Sequence, residues 1–277
     1  MMRIPVYAST GAFVTRKNNR NYRLIGPVGE KMLADGFEFL MFDSWNDETK
    51  EIRKYLNSTG LTFPVLHMDK SVGEILSEKG TGGEEESTRL FERDLETALA
   101  IGAKTLVLHL WNGRHSDAHF EESLPIARKF NDLSKSAGVT LAIENVIPKT
   151  ELSVDRLIAM SAFDETLHFT YDTKMAHLKN ENPLLENEKY LPLLTDKKIV
   201  HFHMNDSDPN LYYDGRLQVL HIGEGTVDFE KIFKLIHETN FSGTVTVEST
   251  SVERDGTPQI EKMNKSLVAI RSALNRL

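Results

Sequence analysis

Eight short runs rich in β-branched and aromatic residues recur along the chain. They are RIPVYAS (3–9), FEFLMF (37–42), TFPVLHM (62–68), KTLVLHLW (104–111), VTLAIEN (139–145), LHFTYD (167–172), IVHFHMN (199–205) and GTVTVES (243–249). Stretches with helical periodicity lie between them, among them 48–58, 85–103, 121–138, 154–162, 228–240 and 260–277. In TRLFERDLETALAIG, Leu90, Phe91, Leu95, Ala98 and Leu99 recur at three- and four-residue steps and predict one buried face. Gly60, Gly102 and Gly138 fall at helix ends, where a left-handed backbone suits glycine, and Asp228 stands where it can cap a helix start. Eight such units over 277 residues take about 35 residues each, a length that suits short strand-to-helix connections. No linker or composition break divides them. The strands are near-continuous apolar runs, as expected when both faces are covered. The expected fold is therefore α/β, a closed (βα)8 barrel forming a single domain over residues 1–277.

The polar segment SEKGTGGEEEST (77–88) reads as a mobile loop after the third strand, with Glu84–Glu86 in the first turn of the next helix. A second long loop, 205–227, follows the seventh strand.

A strand covered on both faces has no place for an ionisable side chain without a reason. Here such residues fall at the ends of six runs: His67, His109, Glu144, Asp172, His203 and Glu248. In a (βα)8 barrel the C-terminal ends of all strands surround one mouth, so these six side chains should converge. Carboxylates packed together repel and desolvate badly, and a divalent cation is the simplest compensation. The mixed carboxylate and imidazole set suits six-coordinate Mn²⁺, Mg²⁺ or Co²⁺ better than a closed tetrahedral zinc site, although Zn²⁺ is admissible. With no cysteine in the chain, disulfides, Cys-ligated zinc, iron–sulfur clusters and thiol catalysis are excluded. The net charge of −8 weighs against a nucleic-acid partner. No apolar run approaches the ~18 residues that span a bilayer. The opening MMRIPVYAST enters a strand-like run at once, without a signal-peptide core, so a cytoplasmic location is expected.

The ordered motifs IEN (143–145), YDTKMAH (171–177), HFHMND (201–206), HIGEGTVDF (221–229) and TVEST (246–250) resemble those of the xylose-isomerase-like TIM barrels. That superfamily includes sugar isomerases, sugar 3-epimerases of the D-tagatose type, inosose-processing enzymes and endonuclease IV. The resemblance covers nearly the whole chain. It implies one divalent metal ion held by Glu144, Asp172, His203 and Glu248, with Glu144 and Glu248 also acting as the acid/base pair. His67 and His109 match positions that bind substrate in some members and a further metal in others. His221 lies in the turn that lines the site. Trp111 and His177 complete the expected substrate-binding set. The sequence departs from many relatives in one place: they carry His three residues beyond the strand-six Asp, where this chain has Met175. At the two positions where endonuclease IV carries an Asp-x-His pair stand Leu217 and Val219.

Other residues carry weaker signals. Trp45 and Trp111 could stack on a sugar or cover the barrel rim. Asn145, Asn205 and Asp206 could orient ligands or cap loops. His201 reads as a satisfied core histidine below His203, and Lys174 as an exposed lysine. The Gly223/Gly225 pair alone does not make a phosphate loop. The expected function is metal-dependent isomerisation or epimerisation of a small sugar or polyol-derived ketone. The expected partner is that small molecule, without nucleic acid or membrane, and a homo-oligomer is compatible with the sequence. The alternatives are an endonuclease IV-like phosphodiester hydrolase and a non-catalytic sugar-binding barrel.

Overall fold

The computed structural model describes residues 3–213 and 216–276. The first two residues of the opening stretch, the centre of the 205–227 loop and Leu277 at the end of the expected helical stretch 260–277 lie outside the described residues. All eight expected runs form strands: β1 (Val6–Ser9), β2 (Phe37–Leu40), β3 (Val65–His67), β4 (Thr105–Leu108), β5 (Thr140–Glu144), β6 (His168–Asp172), β7 (Ile199–Met204) and, after a small antiparallel ribbon of β8 (Tyr212–Tyr213) and β9 (Arg216–Leu217), β10 (Thr244–Val247). The eight longer strands close into one parallel barrel in the order β1-β10-β7-β6-β5-β4-β3-β2. A register shift where β6 meets β7 pairs Phe169 with Ile199 but Thr170 with His201. Val200 is the extra residue, and the shift sets His203 directly opposite Asp172 on one side and Thr246 on the other.

The helices are α1 (Ile25–Gly29), α2 (Thr49–Ser58), α3 (Ser71–Lys79), α4 (Glu84–Ile101), α5 (Phe120–Ser136), α6 (Ser153–Phe163), α7 (Thr173–Leu178), α8 (Pro192–Thr195), α9 (Phe229–Glu238) and α10 (Ile260–Leu274). Most of the apolar core lies between this outer layer and the strands. Phe91 of α4 and Phe130 of α5 stack with centroids 4.1 Å apart, and burying each such side chain stabilises by about 1.5–3 kcal/mol. The stripe expected on α4 is buried at Leu90, Phe91, Leu95 and Ala98. Leu99 departs from it and is 50% exposed, because the extra 100° of turn beyond Ala98 carries it to the outer edge of the helix. Gly60, Gly102 and Gly138 take positive φ, and Asp228 accepts the Lys231 N–H at the start of α9.

Segment 77–88 is not a loop. It runs from the end of α3 through a 3₁₀ turn (Gly80–Gly83) into α4. Its glycines serve close packing: a Cβ on Gly83 would overlap Ile75, and one on Gly80, at φ +54°, would meet Glu122. Glu122 also accepts the Thr81 N–H at 3.0 Å. The 205–227 loop is pinned by Asp206, whose carboxylate accepts N–H groups from Ser207 (2.8 Å), Gly223 (2.8 Å), Gly225 (3.0 Å) and Val227 (3.2 Å). A Cβ on Gly225 would overlap that carboxylate, so the glycines here permit a turn around an aspartate. No described helix is long and apolar enough to cross a membrane.

Candidate active site

The strand ends bring His67, His109, Glu144, Asp172, His203 and Glu248 together at one end of the barrel. Glu144 is the hub. Its Oε2 lies 2.7 Å from His109 Nε2 and 3.3 Å from His67 Nε2, and its Oε1 lies 3.3 Å from His203 Nδ1. Glu248 Oε2 reaches the same His203 Nδ1 at 3.4 Å from the far side. Asn205, just past β7, ties the carboxylates together: its amide donates to Asp172 Oδ2 (3.1 Å) and Glu248 Oε2 (3.2 Å). Its carbonyl accepts the Glu248 N–H. Asn205 thus holds Asp172 and Glu248 side by side, whereas Asn145 holds the end of β6 by accepting the Asp172 N–H at 2.6 Å.

The sequence reading missed Glu38. It is fully buried in β2, and its Oε2 lies 3.0 Å from His201 Nε2 and 3.1 Å from His203 Nε2. His201 also meets Thr244 Oγ1 at 2.6 Å, so it is a satisfied core histidine as expected, but its partner is a carboxylate. The signal was present: a glutamate between two phenylalanines of a doubly covered strand. It lies inside the strand and not at its end.

The electrostatics follow from this crowding. Burial pushes Glu144 up, but His109 and His203 outweigh it and hold the carboxyl well below its usual range. Glu38 behaves likewise: burial is outweighed by His203 and His201. Burial brings His109 down to about 4, more than Glu144 can offset, so the ring is neutral at pH 7. Burial also works against charge on His203, yet Glu248, Glu38 and Glu144 raise it well above the ordinary imidazole value. A proton on His203 here does what a metal cation would do.

The donor set fits a divalent ion. His67 Nδ1 faces the Met68 carbonyl at 2.9 Å, so its N–H is there and the Nε2 lone pair points toward Glu144. With Nε2–H given to Glu38, His203 can offer Nδ1 between the two carboxylates as a ligand once a metal cation displaces the proton they hold there. Lone pairs facing carboxylates repel unless a cation lies between them. Ligand atoms of Glu144, Asp172 and His203 lie within 4.8 Å of one another, as do those of His67, His109 and Glu144.

The other expected site residues have partners of their own. His177 sits five residues past Asp172 on α7, bonds Ser207 Oγ at 2.9 Å, and lines a separate cavity with Asn182, Pro183 and Leu235. His221 meets Ser266 Oγ (3.1 Å) and Ser251 Oγ (3.4 Å), latching the HIGEG turn to the C-terminal helix. Trp111 is 2% exposed, donates to the Val146 carbonyl at 3.0 Å and lies edge-on to Phe120, which makes it part of the rim wall. Trp45 is stacked on Phe39 and donates to the Arg20 carbonyl. Lys174, expected to be exposed, is half-buried beside Asp172.

The family assignment agrees with this geometry. Residues 30–272 match the family described as xylose isomerase-like TIM barrel, and the chain belongs to that family. It is 29% identical over 114 residues to an inosose dehydratase of Clostridium botulinum (strain Eklund 17B / Type B), a match covering 36% of each protein. In structure it is similar to an IOLI protein with a bound zinc atom (TM-score 0.74, 18% identity, 99% of each chain covered). It is also similar to a D-allulose 3-epimerase of Methylomonas sp. in complex with D-allulose (TM-score 0.71, 14% identity, 99% of this chain and 98% of the other). At these identities the structural likeness establishes the fold alone.

Proposed function

We propose that the chain is a divalent-metal-dependent isomerase or epimerase of a small ketose or inosose. The observation that carries this reading is the approach of Glu144 from β5 and Glu248 from β10 to one point, His203 Nδ1, at 3.3 and 3.4 Å. β6 and β7 separate the two strands in the barrel, so the carboxylates come from different sides. The likenesses to an inosose dehydratase and an allulose epimerase support a polyhydroxy ketone as substrate. Glu144, Asp172, His203 and Glu248 would hold Mn²⁺, Mg²⁺ or Co²⁺, which supplies positive charge that acidifies the C–H beside a carbonyl.

One glutamate, as carboxylate, takes that proton. The electron pair moves onto the carbonyl oxygen and gives an enediolate. The other, starting as the acid, returns a proton to the opposite face or to the neighbouring carbon. His109 donates to Glu144 and holds it in position. Asn205 fixes Glu248 by two bonds, one to its side chain and one to its backbone.

The test is solvent exchange. A panel of free and phosphorylated ketoses and inososes incubated with the Mn²⁺-loaded protein in D₂O should yield one substrate whose C–H next to the carbonyl becomes deuterated by NMR. Glu144→Gln and Glu248→Gln, assayed at saturating Mn²⁺, should each lower turnover about 100-fold or more. Conversion without deuterium would replace proton transfer by a hydride shift. Nicking of abasic DNA with no sugar turnover would make the protein a hydrolase.

A further inference from the structure

Lys174 follows β6 by two residues. Asp172 Oδ1 accepts the N–H groups of Lys174 (2.7 Å) and Met175 (3.0 Å), which starts α7 directly at the barrel mouth. The Lys174 side chain folds back over the site and is 13% exposed, with Nζ 3.6 Å from Asp172 Oδ2. Its ammonium lies beside the carboxylate of Asp172 at the barrel mouth. Among the described residues its nearest carboxylate oxygen, at 3.6 Å, lies beyond ordinary hydrogen-bond length. Asp172 Oδ2 already accepts the Asn205 amide, and Oδ1 caps α7. Lys174 thus brings three N–H donors to the mouth, beside carboxylates whose other donors include Asn205 and His109.

We infer that Lys174 is a further catalytic residue, donating a hydrogen bond to the substrate's carbonyl oxygen as negative charge builds there. This rests on the proposed function. When a glutamate takes the C–H proton, the bonding pair leaves carbon for the carbonyl oxygen. That oxygen then carries a full charge in a pocket of carboxylates. The ammonium is the protein's own donor for it. The proton stays on Lys174 throughout. When the second glutamate protonates carbon, the electron pair returns and the carbonyl re-forms. A fixed cation aimed at developing charge is the arrangement by which removal of one oxyanion donor costs about 100- to 1000-fold in rate.

The competing role is that of a counter-ion for Asp172, and two readouts separate them. In Lys174→Met, kcat should fall about 100- to 1000-fold with KM changed only a few-fold. Mn²⁺ affinity by electron paramagnetic resonance should stay the same or tighten, since a repelling charge is gone. Glycolohydroxamate, which mimics an enediolate, should bind the Mn²⁺-loaded wild type at least about tenfold more tightly than the variant, the worth of one charge-assisted hydrogen bond. A neutral polyol such as D-arabinitol should not distinguish them. Lys174→Arg should recover part of both losses. Wild-type turnover and mimic affinity retained within about threefold in Lys174→Met would overturn the assignment and leave the proposed function standing. A wild type that neither exchanges protons nor binds the mimic would overturn both.

Discussion

Glu38 is a buried carboxylate of the barrel interior whose hydrogen-bond partners among the described residues are His201 and His203. Its Oε2 serves both His201 and His203, and its Oε1 has no hydrogen-bond partner among the described residues. By taking the Nε2–H of His203 it leaves Nδ1 as the lone pair offered to a cation, a carboxylate–histidine arrangement that fixes the tautomer. Glu38→Ala should weaken Mn²⁺ binding about 10- to 100-fold, measured by electron paramagnetic resonance, and Glu38→Gln should lose less because its amide oxygen can still accept. Mn²⁺ affinity equal to wild type in Glu38→Ala would make the contact purely structural. At this scale the sequence was informative where a polar residue interrupted an apolar run. His67, His109, Glu144, Asp172, His203 and Glu248 all announced themselves that way. Lys174, His177 and His221 could not be placed, because each lies past a strand end. There the turn taken by a few backbone dihedrals decides whether a side chain meets the mouth, a serine or a neighbouring cavity.

Among the elements, α3 packs directly against the mouth. A Cβ on Gly73 would overlap the carbonyl oxygen of His109, so the helix lies directly against the end of β4. Gly73→Ala should destabilise by about 3 kcal/mol, the upper end of over-packing costs, in denaturant unfolding. A change under about 0.5 kcal/mol would show that α3 is free to move away, since surface substitutions commonly stay in that range. The same packing corrects the reading of 77–88. Glycine and charge there suggested mobility, whereas the glycines admit close contacts and the charges lie on the outer face of α4. Hydrogen exchange should find the amides of 71–83 protected to an extent comparable with α4, and exchange at the rate of an unstructured chain would restore the loop. The strands were legible because their period and burial agree. The break between α3 and α4 was not, because a 3₁₀ turn rich in glycine has the composition of a loop.

For the molecule as a whole, closure of the barrel concentrates charge, and stability then depends on pH. Asp94, outside the candidate ligand set, is a separable case. It is fully buried on α4, accepts the Asp69 N–H at 2.8 Å, and pairs with Arg93. Burial outweighs Arg93 and raises the carboxyl to about 6. Between the ordinary 3.8 and about 6 the folded state therefore binds more protons than the unfolded one. The stability Asp94 contributes is present below 3.8 and is lost as pH rises through about 6, by roughly 3 kcal/mol. Unfolding free energies from pH 3.5 to 7 should show that decline relative to Asp94→Asn, and parallel curves for the two proteins would refute it.

The central claim is that the barrel mouth is one divalent-cation site built from four strand ends. A Mn²⁺ titration followed by electron paramagnetic resonance tests it most directly. The account predicts one tightly bound ion per chain in the wild type, and its loss in both Asp172→Ala and His203→Ala while those variants remain folded. No bound Mn²⁺ in the wild type, or binding unchanged by either substitution, would contradict it.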